Sequence, residues 1–367
     1  MRPERASCSA KLVAAARGLG VFLPPGLCAL APDPYGVALA GAPWTTLAAA
    51  MHRWPRVASC AMSTGPLHRV ALGMALRTRE LDDVLRRFIA SGGRQIVLLG
   101  AGLDSRPWRL QGELPRDTRW FSVDHPATQA ATRKALATAL PPETKAGGAS
   151  PDVCWVAHDF EQPMPSLHSA LLQAGLDAAS RILVIWEGVV MYLSEQALDA
   201  SIELIRAVSC PGSVLALNFI PPECLSAPLA PRRRGTVHRS DHLPTDGRTR
   251  HQSGGVRGRR RLAAWLSSCW HLLTCFFSLQ LWILVFLRLC NEPFLFCGWP
   301  HGELSGWLAP RGFRLLSDRS YADVADAMGA PPAALAMLGD GRFVALAERF
   351  VEAHRAAAPQ DGPDAAE

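Results

Sequence analysis

The feature that most constrains the fold of this chain is a short apolar run followed at once by two glycines. Residues 96–99 are all apolar, and Gly100 and Gly102 come directly after them. An unbroken apolar run of this length is typical of a strand buried on both faces of a parallel sheet. Glycines at its end let the chain turn sharply and let a ligand approach the bare backbone. With a helical turn after them, such a segment is how doubly wound sheets hold adenosine-bearing cofactors.

Asp104 lies inside this turn and narrows the choice of cofactor. A dinucleotide fingerprint reads Gly-x-Gly-x-x-Gly, but its third glycine position holds Ser105 here. The carboxylate of Asp104 would face a pyrophosphate unfavourably, whereas it suits the cationic end of S-adenosyl-L-methionine (SAM). The motif alone favours SAM and leaves a nicotinamide or flavin cofactor, or a purely structural glycine turn, as alternatives.

Beyond this turn, apolar runs alternate with helical segments. The runs predict strands at residues 96–99, 120–123, 153–157, 181–186 and 214–219, and the segments between them predict helices at 126–140, 166–174 and 195–208, the last capped by Ser194. Upstream, helices are predicted at residues 9–19, 44–51 and 68–91. The succession is that of an α/β fold with a parallel core.

Charged residues in the helix predicted at 68–91 have a simple interpretation. Arg77 and Arg79 lie in its middle, and Asp82 and Asp83 follow within a turn or two. Taken by themselves, these residues predict a solvated helix face with internal ion pairs.

Acidic side chains end three successive predicted strands. Asp124, Asp159 and Glu187 follow the second, third and fourth strands. Ligands bind outside the carboxyl ends of strands in an open parallel sheet. Asp124 lies where a doubly wound fold places the acid that bonds ribose hydroxyls, while Asp159 can accept from an adenine amino group and Phe160 can cover the ring. One such acid is most often a cap or turn residue, but the series in register favours a ligand site.

Composition and charge exclude several classes of protein. The chain has 367 residues, 49% of them hydrophobic and 19% charged, which is ordinary for a globular protein. Its ten cysteines include no Cys-x-x-Cys pair, so we expect reduced thiols and no metal site. The net charge is +6, but residues 231–261 contain ten arginines and two aspartates. Basicity confined to one loop does not predict a nucleic-acid partner.

The N-terminus allows two interpretations. Basic residues precede the apolar stretch at 19–31, and the Ala-Leu-Ala sequence at 29–31 resembles a signal-peptide cleavage site. However, Pro24 and Pro25 interrupt the apolar run early, and basic residues extend to Arg17. We therefore favour a helix followed by a loop through Asp33.

The chain resembles the leucine carboxyl methyltransferase-like family of SAM-dependent methyltransferases, which also includes many bacterial and polyketide-type O-methyltransferases. The most specific pieces are Leu99-Gly-Ala-Gly-Leu-Asp-Ser-Arg106 and Trp186-Glu-Gly-Val-Val-Met-Tyr-Leu193. Weaker matches are Ala75-Leu-Arg-Thr-Arg-Glu-Leu-Asp82, Val123-Asp-His-Pro126, His158-Asp-Phe160, Pro211-Gly-Ser213, Glu292-Pro-Phe294, Arg311-Gly-Phe313 and Gly341-Arg-Phe343. Ser105 and Asn291 depart from the usual threonine and glycine.

The resemblance implies a role for each matching residue. Arg77 would hold the SAM carboxylate, and the turn formed by Gly100, Ala101 and Gly102 would face the methionine part. Asp124 would bind the ribose, and Asp159 with Phe160 the adenine. Glu187 would lie near the methionine amino group. The resemblance also implies two last strands, at residues 313–317 and 342–346, in the same sheet.

The segment between the two halves of the sheet is unusual. Residues 221–258 are rich in Pro, Arg, Ser and Gly, which predicts a mobile loop. Residues 262–287 carry no formal charge and are long enough to span a membrane as a helix. A single crossing would leave the last two strands on the wrong side, so a lid helix or an interfacial helix is favoured over a span.

These observations divide the chain into five parts. They are an N-terminal helical segment at 1–76, a SAM-binding α/β core at 77–220, the basic loop with its lid or interfacial helix at 221–292, a part that completes the sheet at 293–350, and a disordered tail at 351–367. The expected fold is a class I SAM-methyltransferase fold, Rossmann-like and doubly wound, with a helical lid insertion.

The expected activity is O-methylation of a carboxylate or hydroxyl on a small or lipophilic acceptor or a protein C-terminus. A non-catalytic membrane adaptor with this fold and a nicotinamide-dependent oxidoreductase remain as alternatives. We expect a cytoplasmic location, with peripheral membrane contact through residues 262–287 if their helix is interfacial. No residue stands out as a catalytic base.

Overall fold

The computed structural model describes residues 7–64, 66–141, 151–222, 298–300, 302–330 and 348–357. Its α-helices are α1 (Cys8–Leu19), α2 (Gly36–Ala40), α3 (Trp44–Arg53), α4 (Pro55–Thr64), α5 (Pro66–Ala90), α6 (Arg106–Arg109), α7 (Pro126–Ala139), α8 (Met164–Gln173), α9 (Glu195–Val208), α10 (Leu304–Leu308) and α11 (Tyr321–Ala327). Its strands are β1 (Gln95–Leu99), β2 (Arg119–Asp124), β3 (Asp152–Ala157), β4 (Ile182–Trp186), β5 (Val214–Phe219), β6 (Phe313–Ser320) and β7 (Arg349–Arg355).

The seven strands form one sheet in the order β3-β2-β1-β4-β5-β7-β6. Strands β1 to β5 are parallel, and β7 runs antiparallel to both β5 and β6. The predicted doubly wound, mostly parallel sheet is confirmed. The strand order reverses between β1 and β4, so the carboxyl ends of these two strands form the switch point at which such sheets bind ligands.

Both faces of the central strands are buried, as the apolar run predicted. Val97 and Leu99 pack into a cluster that includes Leu198 and Ile202 of α9. Ile96 and Leu98 point to the opposite face, into a cluster with Leu81, Val84, Leu85 and Phe88 of α5. Helices on both sides therefore fix β1, and with it the turn that follows. The predicted cap of α9 is confirmed, because Ser194 Oγ accepts a hydrogen bond from Ala197 N.

The interpretation of α5 as a helix with a solvated charged face is wrong in part. The pair Arg79–Asp83 exists, with 2.8 Å between Nε and Oδ2. Arg77 and Asp82, however, are only 4% and 1% exposed. The reason is that α5 packs against the sheet on one side and against the N-terminal helices on the other, around Leu72 and Leu76.

The N-terminal helix predicted at residues 9–19 is confirmed as α1. Its side chains Ala14 and Ala15 are fully buried in a cluster with Leu39 of α2 and Leu103 of the glycine turn. The guanidinium of Arg17 forms an ion pair with Asp33, 3.0 Å from Nε to Oδ2, and its Nη2 donates to the Leu103 carbonyl at 2.5 Å. This helix therefore supports the turn from outside.

Several predicted features lie outside the described residues: the basic loop at 232–261, the apolar stretch at 262–287, and Asn291 with the motifs at 292–294 and 341–343. Among the helices that the structure does describe, none combines the length and the apolar character needed to cross a bilayer.

The end of the sheet differs from the prediction. A strand was predicted at 342–346, outside the described residues, but β7 is formed by Arg349–Arg355. Residues 351–355, which the sequence assigned to a terminal tail, therefore belong to the sheet. Charges at 349, 352 and 355 concealed the strand, because the buried positions Phe350, Val351 and Ala353 do not form a clean alternation.

Phe350→Ala should therefore strongly destabilise the protein. Phe350 is 2% exposed and its ring packs edge-on against Tyr321, 4.9 Å between centroids. Its removal should lower the free energy of unfolding by about 3–5 kcal/mol. Leu316→Ala, at a 44% exposed position of β6, is the control and should change it by about 0.5 kcal/mol. Equal urea-unfolding midpoints for the two variants would show that β7 is not part of the core.

Candidate cofactor-binding site

The turn after β1 needs its glycines. Gly100 and Gly102 have positive φ angles of 74° and 55°, a region that L residues with side chains seldom adopt. A Cβ added to Gly100 would lie 2.3 Å from Val189 Cγ2. The backbone N–H groups of Gly100 and Ala101 both donate to the Val123 carbonyl at 2.9 Å, so the turn is bound to β2.

The structure brings Asp124 into contact with this turn. Its Oδ2 accepts a hydrogen bond from Gly102 N at 2.5 Å, and its Oδ1 accepts one from His125 N at 2.6 Å. The side chain is largely buried. The carboxylate predicted to bind a ribose thus also fixes the glycine turn to the end of β2.

Glu187, at the end of β4, lies between two arginines. Its carboxylate is 2.8 Å from Arg77 Nε and 2.6 Å from Arg106 Nη1, and its side chain is 10% exposed. Burial acts to raise the pKa of Glu187, but Arg106 and Arg77 outweigh it and hold that pKa well below its usual value. Glu187 is therefore an ionised carboxylate beside the glycine turn.

Arg106 is the central residue of the site, and sequence reasoning gave it no role. Its side chain is fully buried, with Nε 2.8 Å from Asp82 Oδ1 and Nη1 2.5 Å from Asp104 Oδ2. Burial lowers its pKa, but Asp104, Glu187 and Asp82 raise it well above the ordinary value. The signal available in the sequence was its place at the end of the Gly-Ala-Gly-Leu-Asp-Ser-Arg motif.

The carboxylate of Asp104 is already paired inside the protein. The sequence predicts that this carboxylate offers its charge to a cationic ligand. In the structure, one of its oxygens accepts from Arg106 N at 2.8 Å and the other is paired with the Arg106 guanidinium. The charge of Asp104 is therefore neutralised by Arg106, the first residue of the short helix α6, which follows the glycine turn directly.

Asp82 and Arg109 extend the network behind the turn. The two terminal nitrogens of Arg109 each lie 2.6 Å from an oxygen of Asp82. Burial acts to raise the pKa of Asp82, but Arg109 and Arg106 lower it below its ordinary value. The network therefore joins α5, α6 and the ends of β1 and β4.

Glu348 reaches the same network from the C-terminal part of the chain. Arg77 Nη1 donates to Glu348 Oε1 at 3.1 Å, and the Tyr321 hydroxyl donates to Glu348 Oε2 at 3.0 Å. Burial together with Glu348 raises the pKa of Tyr321 well above its ordinary value. No local pattern marks Glu348, because it contacts Arg77 only through the tertiary fold. Arg77 is therefore held by two acids.

The network contains one more acid than base. Its bases are Arg77, Arg106 and Arg109, and its acids are Asp82, Asp104, Glu187 and Glu348. With every group ionised it carries one net negative charge at the end of the central strands. A buried negative charge favours a ligand with a cationic group and disfavours a pyrophosphate, so the residues fit the donor that the sequence favoured.

Asp159 and Phe160 occupy the outer end of the site, after β3. Asp159 Oδ1 accepts from Glu161 N at 3.1 Å, and its side chain is 41% exposed. Phe160 is half-buried and contacts the ring of His158 edge-on, 5.8 Å between centroids. Both residues lie at the same sheet edge as Asp124, but no contact links them to Glu187 within the described ranges.

A metal site is absent from what the structure describes: these residues include no group of three His, Cys, Asp or Glu side chains placed to hold a metal ion.

A family model described as leucine carboxyl methyltransferase matches residues 10–206 of this chain. That range contains every site residue predicted from the sequence and excludes Glu348. A Streptomyces coelicolor protein, provisionally named an S-adenosyl-L-methionine-dependent methyltransferase, is 40% identical over 150 residues, 41% of this chain and 49% of that protein. A Frankia alni protein with the same provisional name is 38% identical over 153 residues, which are 41% of this chain and 49% of that protein. The chain spans about half the length of these relatives.

Solved structures resemble the chain more distantly. A provisionally assigned methyltransferase from Thermobifida fusca covers 96% of both chains at 14% identity and a TM-score of 0.49. Magnesium protoporphyrin IX methyltransferase from Synechocystis, solved with bound SAH, covers 84% of this chain and 95% of its own at 14% identity and a TM-score of 0.38. At these values the resemblance carries no functional inference.

Arg106→Ala should show how far the site depends on its central cation. The variant leaves Asp82, Asp104 and Glu187 buried with too little positive charge, which should lower the free energy of unfolding by about 3–5 kcal/mol. Arg206→Ala removes an exposed arginine paired with Glu203 and should lower it by about 0–1 kcal/mol. Urea unfolding measures both. A loss in Arg106→Ala no larger than in Arg206→Ala would contradict the buried network.

Proposed function

Because the chain belongs to the leucine carboxyl methyltransferase family, we propose that it is an S-adenosyl-L-methionine-dependent methyltransferase. The observation that carries the proposal is the ionised Glu187, buried beside the Gly100–Gly102 turn in a network with one net negative charge. SAM brings a sulfonium and an ammonium group, and both are cationic. The relatives named for SAM-dependent methyl transfer support the same donor.

We assign the donor to the edge formed by the ends of β1 to β4. Glu187 would bind the methionine ammonium, and Arg77 would share its guanidinium between its two acids and the methionine carboxylate. The turn at Gly100, Ala101 and Gly102, with Asp104 behind it, would face the methionine chain. Further out, Asp124 would bind the ribose, and Asp159 with Phe160 the adenine.

Methyl transfer requires little acid–base chemistry from the protein. When bound, SAM supplies an electrophilic methyl group on a cationic sulfur. An acceptor oxygen would form the new bond to carbon as the carbon–sulfur bond breaks, and that bonding pair would stay on sulfur. The protein's contribution is to fix the reactants in line and to exclude water. The buried ion pairs that hold Glu187 would fix one side of the site for this alignment.

For the acceptor, we propose an oxygen, and a carboxylate ahead of a hydroxyl. A carboxylate needs no general base, and the histidines near the site are poor bases for a hydroxyl. His125 Nδ1 already accepts from Ala127 N at 3.2 Å. Burial lowers the pKa of His158, which makes it a weaker base. His301 lies outside the described residues.

The proposed acceptor is a small or lipophilic acid or a protein C-terminus. The arginines at 232–261 would attract an acid, and the apolar residues 262–287 would cover an apolar body or contact a membrane surface peripherally. We propose a cytoplasmic enzyme, because the ten cysteines include no Cys-x-x-Cys pair and we expect them to be reduced thiols. The oxidoreductase and adaptor alternatives are not favoured, because the match to the methyltransferase family contains the whole predicted cofactor site.

Asp159→Ala should weaken donor binding without unfolding the protein. Asp159 is half-exposed, so its loss leaves the core intact, but an adenine amino group would lose an acceptor. That loss is about 1–3 kcal/mol, or roughly 5- to 150-fold in affinity. Calorimetric titration with S-adenosylhomocysteine (SAH) measures it.

Glu161→Ala is the matched control, since it removes an exposed carboxylate only two residues away. It should bind SAH as the wild type does. Equal affinities of Asp159→Ala and Glu161→Ala for SAH would show that the adenine binds elsewhere. The methyltransferase proposal itself would fail only if the wild-type protein did not bind SAH.

The bond that the enzyme forms can be identified by its alkali sensitivity. We expect labelled methyl groups from SAM to be released as methanol by mild alkali, because carboxyl methyl esters hydrolyse and ethers or N-methyl products do not. The measurement is the amount of volatile label released by alkali from reactions with a panel of lipophilic acids and phenols. Reactions with heat-denatured enzyme give the background. Enzyme-dependent label that is stable to alkali throughout would contradict a carboxylate acceptor and leave methyl transfer itself standing.

A further inference from the structure

The junction between α3 and α4 exposes apolar side chains at a corner of the molecule. Trp54 is 58% exposed and Val57 is 68% exposed, the two highest values among the large hydrophobic residues that the structure describes. Pro55 begins α4 directly after Trp54, so the chain turns there. We call residues 52–57 the α3–α4 corner.

The same corner carries basic side chains without acidic partners. Arg53 and Arg56 are exposed, and neither forms an ion pair with any described residue. Some exposed arginines on other faces are paired with acids, as Arg87 is with Glu352 and Arg206 with Glu203, whereas this corner has no ion pair with a described acid. The reason lies in the sequence, since no aspartate or glutamate occurs from residue 34 to residue 79.

A shallow cleft of about 340 Å³ lies next to these residues. Its lining is Val21, Phe22, Met51, His52, Pro55, Ala58 and Ser59. Val21 is itself 45% exposed, so the cleft has an exposed apolar side chain at its lining. The cleft rests on the cluster of apolar residues that packs the N-terminal helices onto α5, which makes its floor rigid.

We propose that the α3–α4 corner docks on an anionic membrane surface. Tryptophan is favoured at the headgroup level of a bilayer, because its ring is apolar and its N–H is polar. Arg53 and Arg56 can lay their apolar stems along the interface while their guanidinium groups bind lipid phosphates. A lipid headgroup layer matches this corner better than a protein surface does, because the exposed charge is of one sign and the apolar residues project from a turn between two helices.

This inference is independent of the proposed methyl transfer and of residues 262–287. The test is cosedimentation of the full chain with phosphatidylcholine vesicles, with and without phosphatidylglycerol. We expect binding to the anionic vesicles only, weakened by salt because exposed charges are screened. The double variant Arg53→Ser/Arg56→Ser should weaken it about 25-fold, from about 5-fold for each basic residue at such a surface, and Trp54→Ser about 10-fold.

Two control variants test whether binding depends on this corner or only on the total charge and apolar surface of the protein. Arg116→Ser/Arg314→Ser removes the same charge from exposed positions elsewhere, and Leu172→Ser removes an exposed apolar side chain from α8. Both should bind anionic vesicles as the wild type does. Thermal unfolding midpoints should be equal for all four variants, since every changed side chain is exposed.

Three results would overturn the proposal. One is equal binding to neutral and anionic vesicles. Another is binding that survives both corner variants, which would place the contact elsewhere in the chain. The third is no vesicle binding at all. If the protein then self-associates and the corner variants abolish that self-association, the corner binds a second copy of this chain instead.

Discussion

The structure depends on one buried carboxylate held between two buried guanidinium groups. Glu187 ends the central strand β4, Arg77 comes from α5, and Arg106 comes from the turn after β1. Each of these elements is positioned by apolar packing on both faces of the sheet. The ion pairs then fix where the strand end, the helix and the turn lie relative to one another, and our proposal places the cofactor against that geometry.

Such a network is not explained by stability alone. Burying a charged group costs several kcal/mol, and a buried ion pair regains this only with good geometry, so apolar residues of similar volume would often serve stability equally well. Four acids and three bases in contact therefore fit a functional requirement better than a purely stabilising role. The requirement in our proposal is a fixed negative site for a cationic ligand, beside the glycine turn whose Gly102 N–H donates to Asp124.

Local signals in the sequence pointed to part of the candidate site. Gly100 and Gly102 follow an apolar run, and Asp124, Asp159 and Glu187 lie at or just after strand ends, so periodicity and position were enough to select them as candidates. Arg106 and Glu348 were missed because burial gives them their role, and burial depends on contacts far along the chain. The strand β7 was missed because Arg349, Glu352 and Arg355 interrupt its apolar pattern. Glu352 has its partner Arg87 only in the folded chain.

The central claim is that the ends of β1 to β4 bind SAM and not a dinucleotide. Calorimetric titration of the wild-type protein with SAH and, separately, with NADPH tests this claim most directly. We predict that SAH binds with one site per chain and that NADPH releases no heat of binding. Saturable binding of NADPH with none of SAH would contradict the account.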